Sequence, residues 1–288
     1  MYDLDLSILR KKLPSFLVIG TYRAGTTWLH HVLSKHPNIF LPWEKETFYF
    51  SKFYYRGLNW YLNFYKDAPE SALKGEVCPA YLSDKLAPQR IKKVLGDVKL
   101  IVILRNPFEQ IISMYKHHLI RGEQKKKFKT AIIENGFYIY TISYADHLKN
   151  YFNFFPRDLF LILKYDLLKQ NKVEFLRAIY KFLGVPEKFP DCLEEKVNLS
   201  SVRFLWLEKI IAKGGEFLRK HNLYFLKQFL KKIKIVDTLK KLNQLSNVSD
   251  TSNYIEFFPK EIVRLINAKI EELEVLLNID LNNWKLYR

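Results

Sequence analysis

The sequence predicts an α/β fold: a P-loop-like three-layer arrangement with a central, mainly parallel sheet and a helical C-terminal part. Four short apolar runs are typical of strands buried on both faces, because they are continuous rather than alternating. They cover residues 16–19, 75–78, 100–104 and 159–163, and stretches with helical periodicity separate them. Right-handed crossovers would place the loops that follow these strands along one edge, where ligand chemistry usually occurs.

The helical signals differ between the two parts of the chain. Helical spacing appears after the first strand and over residues 86–95, whereas beyond Pro190 the strand signal ends. Residues 226–242 combine an apolar stripe with a lysine-rich face, and the last helix is predicted to begin at Pro259. Its apolar face is formed by Ile262, Leu265, Ile266, Leu273, Leu276 and Leu277. We therefore predict a single domain over 1–288, helical from about residue 191.

The composition points to an anionic partner without identifying it. The 288 residues include 47 Lys and Arg against 30 Asp and Glu, a net charge of +17. Such an excess fits a nucleotide, nucleic acid, an acidic polysaccharide or a membrane surface, and a solvated lysine-rich surface is the alternative. Only 10 glycines and no fixed-period repeat argue against a repeat-built all-β fold.

The chain shows no secretory or membrane-spanning signal in its sequence. No apolar run approaches the ~18 residues that a membrane span needs. Its first five residues carry two aspartates and no basic residue, and Cys78 and Cys192 lie too far apart to suggest a disulfide framework. We therefore expect a cytoplasmic protein.

The turn after the first strand has the glycine spacing of a phosphate-binding loop. Gly20 and Gly25 are spaced as in a P-loop, but Thr26 stands where the lysine would be. Backbone N–H groups at the following helix N-terminus can still hold phosphate oxygens. Arg23 supplies a cation, and Thr26 and Thr27 supply hydroxyl donors. An ordinary glycine-containing turn between strand and helix is the alternative.

A second anion-binding position follows the third strand. Arg105 ends that strand, Pro107 starts a helix, and Ser113 lies about two turns along it. Arg105 and Ser113 could together hold a second phosphate, or Arg105 could simply pair with a carboxylate. A triphosphate site normally holds Mg²⁺ through an acidic residue, and no matching acidic strand end is obvious here.

Together these segments resemble the sulfotransferases that use 3′-phosphoadenosine 5′-phosphosulfate (PAPS). Residues 23–27, Arg-Ala-Gly-Thr-Thr, are similar to the family's 5′-phosphosulfate loop, and Arg105 with Ser113 matches its 3′-phosphate motif. The resemblance implies that the loop and these two side chains bind PAPS, and its product 3′-phosphoadenosine 5′-phosphate (PAP), without a metal. The predicted nucleotide-binding residues are Arg23, Ala24, Gly25, Thr26, Thr27, Trp28, Arg105 and Ser113. For Trp28, stacking on adenine and packing in the core both remain open.

The catalytic residues are also implied by resemblance. Residues 45–50, Lys-Glu-Thr-Phe-Tyr-Phe, are similar to a segment of the heparan-sulfate-type branch, in which the glutamate is the general base. Glu46 and Arg23 are the catalytic residues that this implies, acting in a direct in-line transfer. Residues 57–61, 75–81, 164–168 and 281–284 also resemble that branch or the wider family. The last third lacks a convincing nucleotide-closing loop, for which 214–220 is only a vague substitute.

Other functions and the acceptor stay open at this stage. The alternatives are a P-loop-type nucleotide phosphotransferase and a non-catalytic basic protein that binds nucleic acid or an anionic membrane surface, for which the helix over 226–242 is the candidate. The acceptor could be an acidic carbohydrate, a lipid or a small molecule. We expect no nucleic-acid partner, while peripheral membrane contact is compatible with the sequence. The adjacent pairs His30-His31 and His117-His118 lack zinc-site spacing and receive no role.

Overall fold

A computed structural model describes residues 12–194, 214, 217, 218 and 252–287. Within them the chain forms one five-stranded sheet in which every strand pairing is parallel. This confirms the predicted fold class. The strands are β1 (Phe16–Gly20), β2 (Ile39–Phe40), β3 (Leu73–Val77), β4 (Lys99–Leu104) and β5 (Phe160–Lys164). The sequence prediction missed β2, because a two-residue strand is too short to show a periodicity.

Helices flank the sheet and connect its strands. They are α1 (Thr26–Leu33), α2 (Gly57–Leu62), α3 (Ala80–Ser83), α4 (Ala87–Leu95), α5 (Pro107–Ile120), α6 (Phe128–Glu134), α7 (Phe137–Ile142), α8 (Tyr144–Phe152), α9 (Tyr165–Gln170), α10 (Lys172–Leu183), α11 (Ser252–Ile255) and α12 (Lys260–Leu277). Short 3₁₀ turns include Asp191–Glu194 and Asn282–Trp284.

The order of the strands creates a crevice for a ligand at the centre of the sheet. The order is β2-β3-β1-β4-β5, so β1 and β4 are neighbours. The chain leaves β1 towards β2 on one side, whereas it leaves β4 towards β5 on the other. Such a reversal opens a crevice at the carboxyl ends of the two strands, the usual ligand position in an open parallel sheet.

The core consists of two layers, one on each face of the sheet. Phe16 and Val18 of β1 pack with α1 and α10, whereas Leu17 and Ile19 pack with the helices of the opposite face. Successive strand residues point to opposite faces. Because both faces are covered, β1 is apolar throughout and completely buried.

The C-terminal helix α12 packs on the face of the sheet to which Leu17 and Ile19 point. Phe258, just before α12, contacts Phe108 of α5 with ring centroids 5.2 Å apart. The helix begins one residue after Pro259, and its buried residues are Val263, Ile266, Ile270 and Leu273. The prediction for Leu265 was wrong: it is 40% exposed, because 265 lies off the face defined by 263, 266, 270 and 273.

Two predictions lie mostly or wholly outside the described residues: the helix over 226–242 and the possible nucleotide-closing segment 214–220. The single-domain assignment stays a prediction for the same reason. In the ranges that are described, no helix is both long and apolar enough to cross a membrane.

Candidate active site

The loop after β1 has the geometry of an anion cradle. Gly25 precedes α1 with φ +78°, and a Cβ there would lie 2.5 Å from the Leu168 side chain. Glycine is therefore required by both backbone conformation and space. The first helical bond runs from the Leu29 N–H to the Gly25 carbonyl. The N–H groups of Thr26, Thr27 and Trp28 consequently have no acceptor within the helix, at the end where its dipole favours an anion.

Arg23 joins this loop to the position after β4. Its Nε donates to Ser113 Oγ at 3.1 Å, and its carbonyl accepts from Arg105 Nη1 at 2.6 Å. Arg23 itself adopts a positive φ of 60°. The structure thus brings Arg23 into contact with Arg105 and Ser113, which lie 82 and 90 residues further along the sequence.

Arg105 is oriented by several neighbours at once. Its Nε and Nη2 donate to Glu109 Oε2 at 3.2 and 3.1 Å, so the carboxylate pairing that the sequence left open is present. The Tyr165 ring lies 4.7 Å from the guanidinium. A guanidinium has five N–H donors. Three of these donors bind Glu109 and Arg23. In the part of the chain that the structure describes, the other two N–H groups therefore remain for an anion.

The residues that support Arg105 were not predicted from the sequence. Lys169 pairs with Glu109 at 3.3 Å and with Asp166 at 3.1 Å. Asp166 also accepts from the Trp284 indole N–H at 2.9 Å. Asp166 and Lys169 follow the end of β5, which reaches the same sheet edge as β4, and this position is the signal that could have identified them.

The electrostatics of this edge favour a bound anion. Burial and the neighbouring Arg105 guanidinium lower the pKa of Arg23. Burial, followed by the charges of Arg23 and Arg121, lowers the pKa of His117 to about 3. Both pKa values are lowered in part by neighbouring positive charges. A bound anion would offset this repulsion between positive charges.

His117 gives a pH-dependent prediction. Below about pH 6.5 the unfolded chain takes up a proton at this histidine that the folded protein does not, so the free energy of unfolding falls as pH drops from 6.5 towards 3. We expect His117→Gln to lose less thermal stability than wild type between pH 7.5 and 5.0. Parallel unfolding midpoints for the two proteins across this interval would contradict the assignment.

Glu46 lies at the carboxyl end of β3. Its N–H donates to the Val77 carbonyl at 3.2 Å, and its side chain pairs with Lys45 and is 26% exposed. Burial, the Cys78 thiol and the Glu46 carboxylate raise the pKa of Tyr22, a residue of the loop after β1. The Glu46 carboxylate therefore lies near that loop.

Trp28 is placed for packing. Its indole N–H donates to the Leu193 carbonyl at 3.2 Å, and its ring makes an edge contact with Phe175 at 6.3 Å. The side chain is only 9% exposed. This arrangement corresponds to the core alternative, because stacking on adenine needs an accessible ring face.

The histidine pairs form local contacts. His118 Nδ1 lies 3.0 Å from the Tyr138 hydroxyl, and His30 Nε2 lies 3.2 Å from the Pro42 carbonyl. Within the described ranges, no three His, Cys, Asp or Glu side chains converge in a way that would hold a metal ion.

The fold and the site are those of an α/β protein with two candidate anion-binding positions at one edge of a parallel sheet. Residues 13–251 match the family described as Sulfotransferase domain. The chain therefore belongs to the sulfotransferase domain family, whose members use PAPS.

Two named sulfotransferases are similar to different shares of this chain. Membrane-associated sulfotransferase kil1 of Dictyostelium discoideum is 37% identical over 118 residues, 40% of this chain and 25% of that protein. Heparan sulfate glucosamine 3-O-sulfotransferase 6 of Mus musculus is 28% identical over 190 residues, 63% of this chain and 55% of that protein. The chain thus spans about a quarter of the first relative's length and about half of the second's.

A solved structure shows the same fold. The crystal structure of a sulfotransferase from Alicyclobacillus acidocaldarius aligns with a TM-score of 0.67, at 19% sequence identity. The alignment covers 94% of this chain and 98% of that one. The likeness therefore extends over nearly the whole of both chains.

Proposed function

We propose that this chain transfers a sulfonate group from PAPS to an acceptor hydroxyl or amine. The observation that carries the proposal is the 3.1 Å contact between Arg23 and Ser113. It brings the loop that suits a 5′-phosphosulfate to the position that suits a 3′-phosphate. One nucleotide with phosphates at both ends can therefore engage both positions.

The residues present fit such a ligand. Gly25 adopts the positive φ that the turn before α1 requires, and the N–H groups of Thr26 and Thr27 would hold the 5′ end. Arg105 and Ser113 would hold the 3′-phosphate. When bound, PAPS supplies an activated sulfonate whose leaving group is PAP.

Two side chains would perform the chemistry. Glu46 accepts the proton that the acceptor hydroxyl or amine loses as its oxygen or nitrogen bonds to sulfur. Arg23 and the N–H groups at the start of α1 stabilise the negative charge that develops on the leaving phosphate. Because both partners are held in one crevice, positioning contributes much of the remaining rate.

The acceptor class is proposed from the relatives' names alone. One acts on heparan sulfate glucosamine, which makes a carbohydrate hydroxyl or amine the first class to screen. Another is membrane-associated, so lipid acceptors and peripheral membrane contact belong in the same screen. Small phenols complete it, because a donor site does not specify an acceptor.

Calorimetric titration with PAP tests the proposal directly. We expect micromolar PAP binding without a Mg²⁺ requirement, and much weaker binding of AMP, which lacks the 3′-phosphate. ATP with Mg²⁺ is the control for the phosphotransferase alternative. Tighter binding of ATP with Mg²⁺ than of PAP, or no PAP binding, would contradict the proposed function.

A further inference from the structure

Glu76 is a buried carboxylate for which the proposed reaction has no direct use. It lies in β3, is 1% exposed, and has no contact with the phosphate-binding positions among the bonds described above. Burial raises its pKa, while hydrogen bonds from Thr47, Tyr61 and Tyr81 act in the opposite direction. A buried carboxylate needs such partners, because desolvation is costly.

The bonds to Glu76 come from donors on three different segments. Oε1 accepts from the Thr47 hydroxyl at 2.6 Å, the Thr47 N–H at 3.1 Å and the Tyr81 hydroxyl at 2.9 Å. Oε2 accepts from the Tyr61 hydroxyl at 2.6 Å. All four groups are donors, so the arrangement suits an ionised carboxylate, which only accepts. Such charge-assisted bonds are short and strong.

This network holds the segment that carries Glu46. Thr47 directly follows Glu46, and the Thr47 hydroxyl in turn accepts from the Tyr49 N–H at 3.2 Å. The Tyr81 hydroxyl, bound to Glu76, accepts from the Phe50 N–H at 3.3 Å. The backbone N–H groups of residues 47, 49 and 50 therefore all donate to Glu76 or to a side chain that is bound to it.

The backbone of the same segment is strained. Glu46 has φ 65° and Phe48 has φ 55°, values that residues with a Cβ seldom adopt. Such conformations persist only where the surroundings over-determine them, and they cluster at functional sites. Thr47, held by two bonds to Glu76, lies between these two residues.

We propose that Glu76 is a positioning residue, which acts through Thr47 to hold the Glu46 carboxylate towards the phosphate-binding loop. This inference rests on the proposed function, since it assigns Glu76 a part in the same reaction. A purely structural role would be served as well by apolar packing, because replacing both partners of a buried hydrogen bond by apolar groups of the same shape can be nearly neutral or stabilising.

A double-mutant cycle tests the proposal. The variants are Thr47→Val, Glu76→Gln and their combination, with Thr47→Ser as the conservative variant that keeps the hydroxyl. Thr141→Val is the matched control, since Thr141 is another buried threonine, whose hydroxyl donates to the Tyr138 carbonyl at 3.0 Å. Each protein is assayed for sulfonate transfer from PAPS to N-desulfated heparan fragments and 4-nitrophenol, for PAP binding by calorimetry, and for hydrogen exchange over residues 43–51.

We expect Thr47→Val and Glu76→Gln each to lower kcat by about 10- to 100-fold, because small displacements of a catalytic group are that costly. PAP affinity should change by less than about twofold, and exchange over 43–51 should accelerate. The combined variant should be no slower than the slower single variant, because both changes break one connection. Thr47→Ser and Thr141→Val should retain most of the wild-type kcat.

Several outcomes would overturn the proposal: additive losses in kcat, loss of PAP affinity in parallel with kcat, a Thr47→Val loss no larger than that of Thr141→Val, or unchanged exchange over 43–51. Failure of the proposed function would look different. Wild type would then bind no PAP, while accelerated exchange in the variants would still show that Glu76 holds the segment.

Discussion

Replacement of Glu46 by glutamine is expected to lower kcat by about 100- to 10,000-fold, the range typical of a lost general base. Glutamine has nearly the same shape but cannot accept the acceptor's proton at neutral pH. Glu46 takes no part in the bonds that join Arg23 to Ser113 and to Arg105, so nucleotide binding should be preserved. The measurement is turnover of PAPS with an acceptor from the screen, alongside PAP calorimetry.

Glu44→Gln is the matched control for this variant. It makes the same chemical change two residues away, on a carboxylate that is 6% exposed. Turnover within a few-fold of wild type is expected there. Glu46 would lose its assignment if Glu46→Gln remained active, or if Glu44→Gln caused an equal loss with an unaltered unfolding midpoint.

Replacement of Arg105 by alanine should have the second largest effect. Loss of a charged hydrogen-bonding partner costs about 1.5–3 kcal/mol, which corresponds to a roughly 10- to 150-fold weaker PAP affinity. The variant also removes the bond to the Arg23 carbonyl, so the phosphate-binding loop loses one of its supports. Calorimetry with PAP and with AMP measures the change, and the loss should be much smaller for AMP, which lacks the 3′-phosphate.

Two further variants separate geometry from charge. Arg105→Lys keeps the positive charge but loses the planar fork, so an intermediate affinity is expected. Arg157→Ala removes one positive charge elsewhere, at a side chain that donates to the Leu276 carbonyl, and should leave PAP affinity unchanged. Unchanged PAP affinity in Arg105→Ala, or an equal loss for AMP, would remove Arg105 from the 3′-phosphate position.

Much of the fold was predictable because its signals are local. Continuous apolar runs identified β1, β3, β4 and β5, and Pro107 marked the start of α5 to the residue. A strand that is buried on both faces of a parallel sheet needs apolar residues at consecutive positions, so it can be identified from the sequence. The two-residue strand β2 and the exposed face of α12 at Leu265 escaped prediction, because a short element or a residue at the edge of a helical stripe carries too little periodicity.

The sequence by itself identified the family and the residues for which roles are proposed: the loop over 20–27, Arg105 with Ser113 and, through the resemblance, Glu46. Only the tertiary structure decided how these groups meet, because the reversal of strand order at β1 and β4 brings Arg23 to Ser113 across 90 residues of sequence. It also revealed the supports, Asp166 and Lys169 around Arg105 and Glu76 behind Glu46. Their role depends on hydrogen bonds between distant segments, and no local pattern of residues encodes such bonds.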